Sequence, residues 1–172
     1  MSQELITFIV LGSKARLRGT KVPLDNKYEE YVQLNFESKA DIQKKIDDTI
    51  TLCKGDLVAL LPPSSIPNIQ AREALKKIAL IGLSSWGWFD FNSNRKNFLQ
   101  NIKKINTLVR SIPDLEQGIY FSKSLYFSVG GIGSFGSSPF SEISKRFYSR
   151  IDPQKPLPAL IIRTKNLDLF QK

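Results

Sequence analysis

The chain has no histidine and a single cysteine, Cys53, among its 172 residues. Without an imidazole there is no Ser-His-Asp or Cys-His arrangement and no histidine-containing zinc site. One thiol cannot close an intramolecular disulfide or build a thiolate metal cage, and it fits a reducing compartment. Lysine, carboxylate and tyrosine chemistry stay open, but no group of residues has the look of a catalyst. The expectation is a protein that is not an enzyme and uses neither metal nor cofactor. Long apolar runs are missing too, and none reaches the ~18 residues of a membrane-spanning helix. The apolar segment at 5–11 has no basic stretch before it and no small-residue cleavage site after it. It reads as a first strand, and the chain as one that is not secreted.

What is present is ordinary core material and an uneven excess of positive charge. Hydrophobic residues at 41% and charged residues at 24% suit a folded chain, so residues 1–172 are read as one domain with a real core. The formal net charge is +9. Residues 1–50 carry eight basic and eight acidic side chains, residues 51–110 nine against three, and residues 111–172 eight against five. A basic middle and C-terminal part favours a polyanionic partner, either a phosphate backbone or an anionic lipid surface. The plainer alternative is that the charge serves solubility.

Periodicity gives the order of elements. Residues 5–11 form a strand, and 14–18 extend it as a ribbon with Lys14, Arg16 and Arg18 on one face. Residues 31–36 resume with Val32, Leu34 and Phe36 on one side. Ser38 opens a helix with Ile42, Ile46, Thr49 and Cys53 at helical spacing, stopped by Gly55. A short apolar strand at 56–61 runs into 62–68, whose three prolines suggest a rigid, exposed connection. Asn68 caps a helix over 69–81 with Ala71, Leu75, Ile78 and Ala79 inward and Arg72, Lys76 and Lys77 outward; Gly82 ends it.

Trp86 and Trp88 follow, and two readings stand: a stacking or interfacial pair, or core. Ser93 begins a helix to Arg110 whose stripe is Phe98, Ile102, Ile105 and Val109, joined by Leu99 and Leu108. Lys96, Lys103, Lys104 and Arg110 lie away from that stripe, and no acidic residue occurs between Arg95 and Arg110. Such a helix either packs its stripe on the core or lies along phosphates or headgroups.

Residues 119–164 organise the C-terminal half. Ile119, Phe121, Leu125, Phe127 and Val129 alternate with polar neighbours, the pattern of a strand through 129. The flexible loop 130–139 holds Gly130, Gly131, Gly133 and Gly136. A helix follows, with Ser138 as cap, Pro139 first, Phe140, Ile143 and Phe147 on one side, and Lys145, Arg146 and Arg150 late. An apolar strand at 160–162 and a short tail at 166–172 close the chain. Gly131-Ile-Gly133-Ser-Phe-Gly136 spells GxGxxG, but the helix restarts after it and Arg163 and Lys165 stand where an acid should end the next strand. The loop therefore reads as a loop.

The basic helix running into a Gly-Ser turn (ALKKIALIGLSSW, 74–86) and the order of elements in 118–164 resemble rhabdovirus matrix proteins, in particular the smaller plant-infecting members. The latter part has a Gly-Ile-Tyr entry to a strand, a Pro-aromatic helix ending in basic residues and the strand ALIIRTK. The likeness covers about half the chain and is one of pattern. A lysine-rich N-terminal arm is absent, and Pro62-Pro63-Ser64-Ser65 lacks the tyrosine of a late-domain motif, so recruitment of budding machinery is not implied. The resemblance implies a protein that self-associates, condenses ribonucleoprotein and ties it to a membrane, in host cytoplasm and virion.

The expectation is therefore a single α+β domain, with a mainly antiparallel sheet and about four helices. Its expected role is viral matrix-type assembly between anionic membrane lipid and ribonucleoprotein. Lys76, Lys77, Lys96, Lys103, Lys104, Lys145, Arg146 and Arg150 would supply charge. Trp86 and Trp88 would supply insertion, and the glycine loop a self-association contact. The alternative is a sequence-tolerant RNA-binding protein using the same cations with aromatic stacking.

Overall fold

The computed structural model describes residues 5–17, 22–92, 98–136 and 138–169. Strand β1 (Ile6–Ser13) is apolar on both sides because it runs through the middle of the molecule, buried from Ile6 to Gly12. A single helical turn, α1 (Lys14–Leu17), follows it, so the ribbon expected at 14–18 is not formed. Arg18 lies outside the described residues. Strand β2 (Glu29–Phe36), helix α2 (Ile42–Leu52) and strand β3 (Leu57–Leu61) come next. After β3 are β4 (Ser65–Ile66), α3 (Ile69–Ile81), β5 (Trp86–Gly87) and α4 (Phe98–Arg110). The chain ends with β6 (Ile119–Ser122), α5 (Lys123–Ser128), α6 (Ser141–Tyr148) and β7 (Ile161–Ile162).

The class is α+β, and four helices among the described residues have eight residues or more. The main sheet has the order β2-β1-β3-β6-β5. Its β2-β1-β3 half is parallel, and only the β3-β6-β5 half is antiparallel, which corrects the expected mainly antiparallel sheet. The physical reason is in part the crossover: α2 carries the chain from β2 over β1 to β3, so β2 and β3 point the same way, and β1 between them pairs parallel with both. Strands covered on both faces become largely apolar, as β3 is throughout and β1 is but for Thr7 and the terminal Ser13.

Each face has its own core. Ile9, Leu11, Val58, Leu60, Ile119 and Phe121 meet Ile42, Ile46 and Ile50 of α2 and Ile143 and Phe147 of α6. On the opposite face Ile6, Phe8, Val10, Leu57, Ala59 and Tyr120 meet Ala71 and Leu75 of α3. Helix α3 is bounded by Asn68, whose side chain accepts from the Ala71 N–H, and by Gly82 in the left-handed region at φ 66°.

Several sequence expectations are corrected. Strand β6 stops at Ser122, and 123–128 coil into α5: the Lys123 N–H donates to the Asp56 carbonyl at 2.8 Å, and Phe127, expected on a buried strand face, is 50% exposed. Helix α6 begins at Ser141 behind Phe140, because Ser138 sits in a turn that receives the Ser141 N–H, so Ser138 and Pro139 precede the helix. The proline connection is not exposed. Pro62, Pro63 and Pro67 are buried, and Ser65 and Ile66 between them pair with β7 in a second small sheet.

Candidate functional site

Helix α4 is the exception to the folding logic above. Its apolar stripe faces outward: Phe98 is 79% exposed, Ile105 59% and Val109 77%, with Leu99, Leu108 and Ile102 also exposed. Thr107 is its only buried residue. The spacing alone left two readings, and the structure turns the stripe away from the core.

The cause lies in what the inner face meets. The Thr107 hydroxyl donates to Gln117 Oε1 at 2.8 Å and lies 3.0 Å from the Lys103 carbonyl. Gln117 is itself buried, held in a capping box in which its Oε1 receives the Asp114 N–H at 2.9 Å. Gln100 Nε2 donates to Glu116 at 3.3 Å. Lys103 pairs with Asp114 at 3.4 Å and Lys104 with Asp90 at 3.0 Å. The body thus offers carboxylates and a buried amide, and the polar side of the helix answers them. At 3.6 residues per turn, Phe98, Ile102, Ile105 and Val109 share the opposite side, with Lys103 and Arg110 on one flank and Lys104 on the other.

Beside that helix the structure opens a groove of about 640 Å³, to which α4 contributes Lys103, Thr107 and Arg110 and α6 contributes Ser141 and Lys145; Ser138 and Asp114 also line it. Lys103 and Lys145, distant in sequence, are therefore brought together. Arg110 was visible as the basic end of the helix; its place in a groove was not, because only the fold sets α4 against α6.

The other sequence candidates go elsewhere. Lys76 is spent on Glu73 at 2.9 Å and lies 3.9 Å from Glu29. Lys77 is exposed on α3, which packs on the sheet face opposite α6, so the cations of three helices do not form one surface. Arg146 pairs with Glu142 and reaches the Val129 and Gly131 carbonyls at 3.4 and 3.5 Å. Arg150 is exposed and lies 3.5 Å from the Ser128 carbonyl. Lys96 lies outside the described residues, as does Ser93, the expected helix start.

Trp86 and Trp88 are buried at 0% and 3% exposure, which corrects their assignment as interfacial or stacking aromatics. Trp86 Nε1 donates to the Ile151 carbonyl at 3.0 Å, and its ring lies 5.5 Å from that of Phe147. The aromatic run sits at the edge strand β5 and is covered by α6 and the chain around Ile151, so both indoles fill the core.

The glycine loop is clamped from both sides. Asp47 Oδ1 receives the Tyr126 hydroxyl and, at 3.1 Å, the Ile132 N–H. Glu142 Oε2 receives the Ser134 N–H at 2.6 Å. Gly131, at φ 85°, passes so close to Asp47 that a Cβ would lie 2.7 Å from its Oδ1. Ile132 inserts into the α2–α6 core. Asp47 had no signal in the sequence beyond its place on α2.

One buried charge was missed. Glu29 has no exposure, and its two oxygens receive Arg72 Nε at 2.8 Å and Nη2 at 2.5 Å, with Asn26 and Tyr31 also donating. Burial opposes ionisation, but Arg72, Asn26 and Tyr31 prevail and hold the carboxyl below its usual range. The same burial, with the Glu29 charge beside it, pushes the Tyr31 phenol upward. Arg72 closes over the β2 end as a bidentate clamp, a structural arrangement. Burial also pushes the Cys53 thiol up, against weaker opposing contacts, which suits a packing role.

No group of three or more metal-ligating side chains occurs among the described residues. No protein-family model matches the chain, and no curated protein matches it. Function has to be read from charge and geometry.

Proposed function

We propose that this chain is a non-enzymatic, matrix-type assembly protein that docks peripherally on an anionic membrane surface through the outward face of α4. The observation that carries the reading is that apolar face, with Arg110, which makes no ion pair with any described residue, on one flank; Lys103 and Lys104 are half-exposed but already paired with Asp114 and Asp90. At ordinary residue areas the six exposed side chains present roughly 700 Å² to water, above the few hundred Å² of an unremarkable surface patch. Interfacial helices have this layout, with an apolar face sunk to the acyl boundary and cations level with the headgroups. No described helix is long and apolar enough to cross a membrane, which is compatible with a peripheral attachment.

Charge selects lipid over a second copy as the occupant of this face. A second copy docked through this same face would bring its own Arg110 against that of the first, whereas an anionic leaflet attracts it. Self-association and the bridging of viral ribonucleoprotein in host cytoplasm and virion belong to the same proposal; they rest on the resemblance and on exposed cations away from α4, including Lys77. The RNA-binding alternative cannot stack bases on Trp86 and Trp88, since both indoles are core residues.

Cosedimentation with vesicles tests it. The full chain should pellet with phosphatidylserine-containing vesicles at low salt, less at high salt, and poorly with neutral ones. Ile105→Asp/Val109→Asp should stay in the supernatant. A wild-type chain that ignores anionic vesicles at low salt, or a double variant that pellets like wild type, overturns the reading.

A further inference from the structure

Helix α4 offers a membrane more than an apolar face, because the groove on its flank is built for a compact anion. Lys103, Arg110 and Lys145 converge there from two helices, with the hydroxyl-bearing Ser138 and Ser141 beside them. Lys103 is already neutralised in part by Asp114. Arg110 and Lys145 make no ion pair with any described residue, so their donors are available to a ligand. No aromatic side chain among the described residues lines the groove, so these residues give a nucleobase nothing to stack on. What the lining can recognise is oxygen-rich negative charge: guanidinium and ammonium groups for phosphate oxygens, hydroxyls for a polyol.

Position narrows the source of that phosphate. The groove borders the same helix whose other side is apolar, so a phosphate held there lies within a helix diameter, ~10 Å, of the exposed stripe. A volume near 640 Å³ exceeds a bare phosphate and suits a phosphorylated sugar alcohol. We infer that the groove between α4 and α6 is a headgroup site for lipids carrying phosphomonoesters, of the phosphorylated inositol type. It therefore reads lipid identity where the apolar face reads only the presence of an anionic bilayer. The inference rests on the membrane-docking reading and refines it.

The test uses the full chain and two sets of vesicles of equal surface charge, one charged by phosphatidylserine and one by phosphatidylinositol bisphosphate. Wild type should bind the second set about thirtyfold more tightly, the scale set by two added cation–phosphate contacts. In Arg110→Gln/Lys145→Gln that ratio should fall to about one. In the charge-matched control Lys44→Gln/Lys54→Gln, which alters exposed lysines that do not line the groove, it should persist. Soluble inositol trisphosphate, followed by amide NMR shifts, separates the two readings. It should perturb Ser141 and Lys145 in wild type and also in Ile105→Asp/Val109→Asp, which no longer binds vesicles. Equal binding to both vesicle sets in wild type, or an undiminished ratio in the groove variant, overturns the headgroup site. A groove variant that loses single-stranded RNA binding while keeping the lipid ratio overturns it in favour of a nucleic-acid site. Vesicle binding undisturbed in the apolar-face variant sinks the docking reading instead.

Discussion

Replacing Val109 by Gln separates an outward helix face from a core one. In a packed interior, losing a branched aliphatic and burying an amide costs several kcal/mol, since the cavity and the unpaired polar group both count. Val109 keeps 77% of its surface in water, so less than a quarter of its burial term is at stake. With roughly 1.5–3 kcal/mol for complete burial, that is about 0.5 kcal/mol. Gln is also the better helix former by a few tenths of a kcal/mol, which offsets part of the loss. The net expectation is a change within about 0.5 kcal/mol, or roughly 1–2 °C in Tm for a chain this long. Urea denaturation followed by circular dichroism reads the free energy, and an unchanged m-value confirms that the same surface unfolds. Thr107→Val is the counter-test on the opposite side of the same helix. It removes the hydroxyl that donates to the buried Gln117 and should cost about 1 kcal/mol despite conserving shape. A loss of about 3 kcal/mol in Val109→Gln would refute the orientation of α4, and with it the docking face.

Two further outcomes follow from the buried polar groups and the glycine loop. Glu29 is held below its ordinary value of 4.5 in the fold, so its contribution is present above that pH and is lost as pH falls through the folded pKa. Removing the clamp in Arg72→Ala reverses the sign. The buried carboxylate, left with Asn26, Tyr31 and a more distant Lys76, is destabilised by about 2–3 kcal/mol at neutral pH, and the deficit relative to wild type should narrow on acidification in a pH series of melts. A constant deficit at all pH values would mean that the ion pair is not what Arg72 supplies. In the loop, Gly131→Ala combines a left-handed φ with a Cβ 2.7 Å from Asp47 Oδ1 and should cost about 2 kcal/mol in a thermal melt, while Gly136→Ala, with open space around it, should cost far less. Equal effects at the two positions would discount the Asp47 clamp.

The elements legible in the sequence are those whose local pattern and tertiary role agree. Ile42 and Ile46 mark α2, although its third buried residue is Ile50 where Thr49 was expected and Cys53 falls just past its end, and Asn68 and Gly82 bracket α3, because caps and stripes act within a few residues. Strand direction was not legible: β1 and β2 pair in parallel through a register in which Ile6 faces Glu29, and no local signal encodes that partner. The nearly unbroken apolar runs of β1 and β3 were the available clue, since two-sided strands lose their alternation. Alternation misled at 123–128, where Leu125 and Tyr126 are buried by a short helix. For α4 the period identified a helix correctly, yet period says nothing about which side is covered. That depended on Gln117 and Asp114 from the next turn and on Asp90 from the preceding segment. At the candidate site the lysines were visible as charge, while Asp90, Asp114 and Glu73 decided which of them remained free.

The attachment of α4 differs in kind from that of every other long helix. Helices α2, α3 and α6 are fastened by burial, which added salt reinforces if it does anything. Helix α4 is fastened by two carboxylate–lysine pairs and a few amide and hydroxyl contacts around Thr107, and charge pairs at half-exposed positions weaken as ions accumulate. The molecule thus carries a firm body and one strap whose grip ionic strength loosens, and the strap is the part that bears the greasy side chains.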